Sequence, residues 1–192
     1  MIALTRPECP NPDALAKRNY RHEENKEALR KPTHGKCMYC EGKMEPTSYS
    51  DIEHIKPKSK FPELEFAWEN LGFACQRCNR NKGAEYNETE PLINPYDENP
   101  EDYIYFWEWF AKPVRGSSRG EYTIRKLDLN RIGLVETRQE KFEDIEKLIK
   151  ILSGLSDESL RNQLITEIRK EAKGDQEYSA MVRCALAVRR LL

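Results

Sequence analysis

Apolar residues follow three patterns along the 192-residue chain. Toward the end they recur at the helical period: Ile145, Leu148, Ile149 and Leu152, then Leu160, Leu164, Ile165 and Ile168, then Met181, Val182, Ala185, Leu186 and Val188. The pattern predicts helix beyond Leu129, with Gly154 and Gly174 separating the helices. Near the start, Asn11-Pro12-Asp13 reads as an N-cap followed by proline in the first turn, and predicts one polar helix running to about Arg30 and stopped by Lys31-Pro32. In between, Tyr103, Tyr105, Trp107 and Trp109 alternate at period two, beside Phe106 and Phe110, and predict a buried strand. Such a stripe can stack bases or pack on a neighbour, and packing is the expected use. Gly116-Ser117-Ser118-Arg119-Gly120 has the composition of a hairpin turn or mobile loop, and Tyr122-Thr123-Ile124 resumes a strand pattern.

Residues 34–90 show little of either period and carry Cys-x-x-Cys twice, as Cys37-Met38-Tyr39-Cys40 and Cys75-Gln76-Arg77-Cys78. Each spacing lets a tight turn aim both sulfurs at one ion, so the four thiolates make one tetrahedral zinc site. A closed four-thiolate shell leaves no position for water, and the zinc is expected to be structural, replacing a core in a module too small to fold unaided. Cys9 and Cys184 are unpaired in sequence and read as incidental thiols. The expected organisation is a helical lead-in over 1–33, the zinc module over 34–90, an aromatic-rich connection over 91–128 opened by the Pro- and Asn-rich stretch Glu90–Tyr96, and a helical region over 129–192.

Charge refines this picture only locally. Lys+Arg 32 against Asp+Glu 33 leaves a net charge of -1, so bulk charge does not announce a nucleic-acid binder. Basic residues nevertheless collect at Lys56, Lys58 and Lys60 and at Arg77, Arg80 and Lys82, compatible with phosphate contacts. The N-terminal residues lack the apolar run of a secretory signal, and no segment approaches the length of a membrane span. A cytoplasmic, membrane-free protein is expected, in which paired cysteines bind metal rather than form disulfides.

Between the two cysteine pairs stand Asp51-Ile52-Glu53-His54-Ile55-Lys56-Pro57 and Asn70-Leu71, and the second pair continues as Cys78-Asn79-Arg80-Asn81-Lys82. In order and spacing these motifs resemble the HNH endonucleases, with Asn79 where a histidine is more familiar. The resemblance implies an α+β fold, a zinc-stabilised ββα-metal (HNH) module flanked by an N-terminal helix and a C-terminal helical region. It further implies that Asn70 braces the loop carrying the catalytic histidine, and that a divalent ion stabilises the leaving 3′ oxygen.

The residues carry the chemistry as well. Phosphodiester hydrolysis needs a base near neutral pH, and His54, one of three histidines, follows a carboxylate and is assigned that role. Glu53 and Asn79 offer oxygens to a hard cation, Mg²⁺ or Mn²⁺, with Asp51 as a further carboxylate on the strand face of Glu53. Glu53 and His54 are adjacent, so they share a site only if the strand ends or twists there, and Pro57 supports an ending. Lys82 and Arg80 are expected at the beginning of a helix, where free amides favour phosphate, and with Lys56 and Lys58 are the candidate substrate contacts. His22 and His34 read as surface residues. The competing reading is a zinc ribbon that grips nucleic acid or protein without cutting; against it stands Glu53, a carboxylate of little use to a pure DNA grip. A third is an RNA-directed, toxin-like nuclease.

The early helix, the Ile52-Glu53-His54 and Pro57-Lys58-Ser59 segments, and Tyr122–Arg131 are similar to the HNH component of bacterial anti-phage systems of the Septu and retron-associated kind. That similarity implies a DNA target and an ABC-type ATPase partner. The apolar faces of Leu160–Leu192 could dock on such a partner or simply pack on one another. Removing residues from about Leu155 onward is expected to spare zinc binding and abolish complex formation.

Overall fold

The computed structural model describes residues 1–44 and 50–192, apart from the Ser50 side chain. Two short helices, α1 (Pro12–Ala16) and α2 (Glu23–Arg30), lead into an antiparallel pair, β1 (Ser50–His54) and β2 (Leu71–Cys75), followed directly by α3 (Gln76–Lys82). This ββα unit is the centre of the molecule. A second hairpin, β3 (Ile104–Trp107) with β4 (Phe110–Pro113), then precedes α4 (Ser118–Lys126), α5 (Ile132–Gly154), α6 (Glu158–Lys170) and α7 (Ser179–Val188). The architecture is α+β. No helix among the described residues is long and apolar enough to cross a membrane.

The single early helix expected from Asn11 to Arg30 is divided. Asn11 caps α1 as its sequence suggests, its side chain accepting from the Ala14 amide at 3.0 Å. The chain then turns at Arg18, whose φ of 62° is left-handed, and Asn19 N donates back to Ala14 O at 2.8 Å. α2 starts afresh at Glu23, so residues 17–22 form a connector rather than a helix interior.

Strand was also expected at Tyr122–Ile124, and the structure has α4 there. Ser117 is its N-cap, accepting from Gly120 N at 3.0 Å, so the Gly/Ser run opens a helix instead of turning a hairpin. Gly120 is required by packing: a Cβ there would lie 2.2 Å from the Tyr103 carbonyl oxygen. The aromatic segment does form a strand, but with a different face buried. Ile104 and Phe106 point inward, whereas Tyr105 and Trp107 are exposed, with Lys112 Nζ 5.9 Å from the Trp107 ring, and Trp109 lies in the turn beyond the strand.

The C-terminal helices share one core with the first Cys-x-x-Cys segment. Met181, Val182, Ala185 and Leu186 of α7 belong to the same buried cluster as Cys37, Met38, Tyr39 and Cys40. A second, smaller cluster joins Leu15 and Leu29 of the lead-in to Ile52, Leu71 and Phe73 of the β1–β2 pair.

Candidate active site and zinc centre

The register of β1 against β2 sorts the motif residues onto two faces. Asp51 pairs with Ala74 and Glu53 with Gly72, and their side chains face α3. Gly72 leaves room for Met38, between Cys37 and Cys40, whose sulfur a Cβ there would meet at 2.4 Å unless the side chain shifted. On α3, Asn79 and Lys82 are three residues apart and share the face turned to the strand. Asn79 Nδ2 donates to Asp51 Oδ2 at 2.8 Å, and Lys82 Nζ lies 2.8 Å from Glu53 Oε1. Glu53 is fully buried, with the Lys82 ammonium as its one ion-pair partner among the described residues. Burial pushes its carboxyl up to about 7, against the opposing charge of Lys82. Burial and then the Glu53 charge push the neighbouring Tyr39 hydroxyl well up.

Two expectations about α3 change here. Lys82 and Arg80 lie in the last turn of the helix, not at its beginning, so no free amides surround them. Lys82 is buried against Glu53, while Arg80 and Lys56 are exposed and enter no ion pair among the described residues. The start of α3 is instead Cys75, whose sulfur accepts from the Cys78 amide at 3.4 Å, a position where helix amides favour thiolate.

His54 ends β1 and faces the other way, beside Ile52 and toward the lead-in. Its Nε2 is 3.0 Å from the Glu65 carbonyl oxygen. A carbonyl only accepts, so Nε2 carries the ring proton and Nδ1 keeps a lone pair. No hydrogen bond joins the ring to Asp51, Glu53 or Asn79 among the described residues. Burial favours the neutral ring and holds His54 below the ordinary imidazole value, against the Glu65 carbonyl, which favours the protonated one. Asn70 supports this end of the strand: Oδ1 accepts from Lys56 N at 2.7 Å, and Nδ2 donates to Lys56 O at 2.9 Å and Leu64 O at 3.1 Å. His34 is exposed and His22 half-buried.

Residues that carry no motif signal also come to this site. Tyr20 and Arg21, from the α1–α2 connector, reach His54 and Asp51: the Tyr20 ring meets the His54 ring edge-on at 4.7 Å, and Arg21 lies 3.4 Å from Asp51. A cleft of about 270 Å³ opens there, lined by Arg21, Glu23, Lys26, Asp51, Ile52 and Gln76.

The sulfurs of Cys37, Cys40, Cys75 and Cys78 lie within 4.8 Å of one another, and Cys40 and Cys75 are 4.0 Å apart. Four sulfurs around zinc at about 2.3 Å would be roughly 3.8 Å apart, so this set fits a closed tetrahedral site. The Arg131 guanidinium stands 3.8 Å from Cys78 Sγ. Burial acts to lower its pKa, but the thiolate charges of Cys78, Cys40 and Cys75 prevail and raise it. This explains the Leu127–Arg131 segment: Leu127 and Leu129 are buried, Asn81 Nδ2 donates to Leu127 O, Asn130 exchanges two hydrogen bonds with Ala111, and Arg131 meets the cysteine cluster.

A family model described as HNH endonuclease matches residues 37–85, the span from the first zinc knuckle to just past α3. Septu protein PtuB of Bacillus thuringiensis is 30% identical over 97% of this chain and 82% of its own length. The chain belongs to the Septu PtuB family. Septu protein PtuB of Bacillus mycoides (strain KBAB4) is 33% identical over 79% of this chain, a match covering 63% of that relative. PtuB similarity therefore extends well past the HNH segment, to the lead-in and C-terminal helices that enclose it.

Proposed function

We propose that this chain is a metal-dependent endonuclease that hydrolyses DNA phosphodiester bonds, with His54 as the general base. The observation that carries the proposal is the state of the His54 ring: Nε2 is committed to the Glu65 carbonyl, so Nδ1 is the nitrogen able to take a proton from an attacking water. Its neutral form, favoured by burial, is the one a base requires.

Glu53 and Asn79, with Asp51 beside them, are the proposed ligands of Mg²⁺ or Mn²⁺. Support comes from the donor set: a buried carboxylate with one ion-pair partner among the described residues, and an amide whose nitrogen is used by Asp51 while its oxygen is left to face an ion. Such an ion, when bound, would stabilise negative charge on the leaving 3′ oxygen. Lys82 balances the Glu53 carboxylate in this reading, and its contact with phosphate is secondary. Arg80 and Lys56, exposed and without an ion pair among the described residues, are the proposed phosphate contacts. Asn70 acts by holding the loop after His54, and zinc by joining the knuckles that frame β2 and α3.

The PtuB relatives support a role in anti-phage defence, with cutting restrained or triggered by an ABC-type ATPase as the Septu resemblance implies. The test is plasmid cleavage with Mg²⁺ or Mn²⁺ by the wild type and His54→Ala, both first shown to hold zinc. We expect the wild type to cut and the mutant to lose about 10²–10⁴-fold in rate. Equal cutting by both would overturn the assignment of His54. If neither cuts, even with the ATPase added, the zinc-ribbon reading replaces this one.

A further inference from the structure

A general base must be held in one orientation as well as in one protonation state. The Nε2 hydrogen bond fixes one point of the His54 ring, and a ring held at one point can still swing about it. The contact that blocks such a swing comes from the α1–α2 connector, a segment in which the sequence offers no catalytic motif.

Tyr20 sets its ring against that of His54 with centroids 4.7 Å apart and planes at 78°, an edge-to-face contact. Tyr20 is itself tethered. Its hydroxyl accepts from Lys58 Nζ at 3.3 Å, and the same ammonium sits 5.0 Å from its ring centroid. Lys58 Nζ also donates to Glu65 Oε1 at 3.1 Å. Glu65 is the residue whose backbone carbonyl receives His54 Nε2. The contacts thus close a circuit from His54 to Glu65, Lys58, Tyr20 and back to His54. Arg18 braces it from outside, 3.7 Å from Glu65 Oε2 and stacked at 4.7 Å on Phe66, whose ring lies 6.0 Å from Tyr20. The left-handed turn at Arg18 is what brings the connector over β1.

We infer that Tyr20 is a positioning residue for His54, and that Lys58 serves this circuit rather than substrate phosphate. The inference rests on His54 being the base and extends that assignment to the lead-in. A half-exposed lysine and a partly exposed glutamate gain little from their charges beside water, so the circuit acts through geometry: it removes ring orientations that would turn Nδ1 away from the substrate.

The test uses the full-length, zinc-loaded chain in wild-type form and as Tyr20→Phe, Tyr20→Ala and Lys58→Met. Long-range ¹H–¹⁵N spectra of the histidines read the His54 tautomer without any cleavage. The wild type and Tyr20→Phe are expected to show the single Nε2–H form, and Tyr20→Ala a broadened mixture. Single-turnover plasmid cleavage supplies the second readout. Tyr20→Ala should lower the maximal rate by about tenfold or more while the half-saturating protein concentration moves less than about twofold, and Tyr20→Phe should recover most of the rate. Lys58→Met should likewise lower the rate and leave binding and its salt dependence intact.

A wild-type tautomer pattern with a wild-type rate in Tyr20→Ala would overturn the role of Tyr20. Weakened, less salt-sensitive binding at full rate in Lys58→Met would make Lys58 a phosphate contact instead. Should Tyr20→Ala fail to hold zinc, Tyr20→Leu retains the bulk without the aromatic edge and is judged by the same readouts. If the wild type does not cut, the nuclease proposal fails, but the tautomer spectra still decide whether Tyr20 holds the ring.

Discussion

Asn70 concentrates three backbone hydrogen bonds on one buried side chain, all of them directed at the segments that flank His54 and Glu65. Asn70→Ala would strand Lys56 N, Lys56 O and Leu64 O, at a cost of about 2–3 kcal/mol by the penalty for unsatisfied buried groups. Urea unfolding would measure this, and cleavage should fall further than the loss of folded protein explains, because Glu65 moves with Leu64. Asn70→Asp keeps the acceptor for Lys56 N and loses both donors, so it should lie nearer to alanine than to wild type. An unchanged urea midpoint in Asn70→Ala would show that the loop finds other partners. At this scale the sequence was legible wherever chemistry is local. Cysteine spacing names the four residues whose sulfurs cluster, and the motif names His54 and Asn70 as candidates. Tyr20 and Arg21 were illegible because they meet His54 and Asp51 across 34 and 30 residues of chain, with nothing in their own neighbourhood to mark them.

Among the elements, α4 shows why pattern failed where it did. Tyr122-Thr123-Ile124 has a strand composition, yet Gly120, Thr123 and Leu127 are the buried positions, at helical spacing. Gly120 reads as a turn residue but is there to let α4 approach the Tyr103 carbonyl. The aromatic strand had the right period and the opposite buried face, because Ile104 and Phe106 fill the space beneath α7 while the larger aromatics stay outside. α4 is fastened to the preceding loop by Arg119, which forks onto Glu98 at 2.6 and 2.8 Å and donates to Pro91 O at 3.0 Å. Burial acts to raise the Glu98 carboxyl, but the Arg119 hydrogen bond prevails and holds it below the ordinary range. The folded state therefore binds this proton less readily than the unfolded state. The pair's contribution is present above the ordinary carboxylate pKa and is lost as pH falls through the lowered one. Arg119→Met should be less stable than wild type by about 1 kcal/mol near neutral pH, a small value because the pair is partly exposed. The gap should narrow between roughly pH 6 and pH 3, leaving the share due to Pro91. Denaturation midpoints across that range test this, and a gap independent of pH would assign the whole effect to the Pro91 bond.

For the whole molecule, the decisive residue is Glu41, immediately after Cys40 of the four-cysteine cluster. It is fully buried and held by donors from the C-terminal region: Ser179 Oγ at 2.8 Å and Ala180 N at 3.3 Å. Lys36, 3.5 Å from Glu41, donates in turn to the carbonyls of Gly174 and Gln176. Helical periodicity in the sequence reveals that α7 has an apolar face, but not that this face closes over the first zinc knuckle. This arrangement argues against the expectation that residues beyond Leu155 are dispensable for zinc binding. Deleting 155–192 removes the Ser179 and Ala180 donors and the Lys36 acceptors and opens the core around Cys37 and Cys40. Glu41 keeps the N-terminal ammonium of Met1 and Lys36 as ion-pair partners, but it and Lys36 lose the hydrogen bonds that complete their buried shells, at about 1–3 kcal/mol for each group, and that cost falls on the turn that must present two of the four thiolates. The truncated chain should therefore hold zinc at least about tenfold more weakly than the full chain, since metal affinity and folding free energy are one quantity in such a site. Competition with a chromophoric chelator measures the affinity, and unfolding of the full chain should release zinc in the same transition that melts the C-terminal helices. Wild-type zinc affinity in the truncated chain would mean that the knuckles fold alone and that the C-terminal helices are a separate attachment.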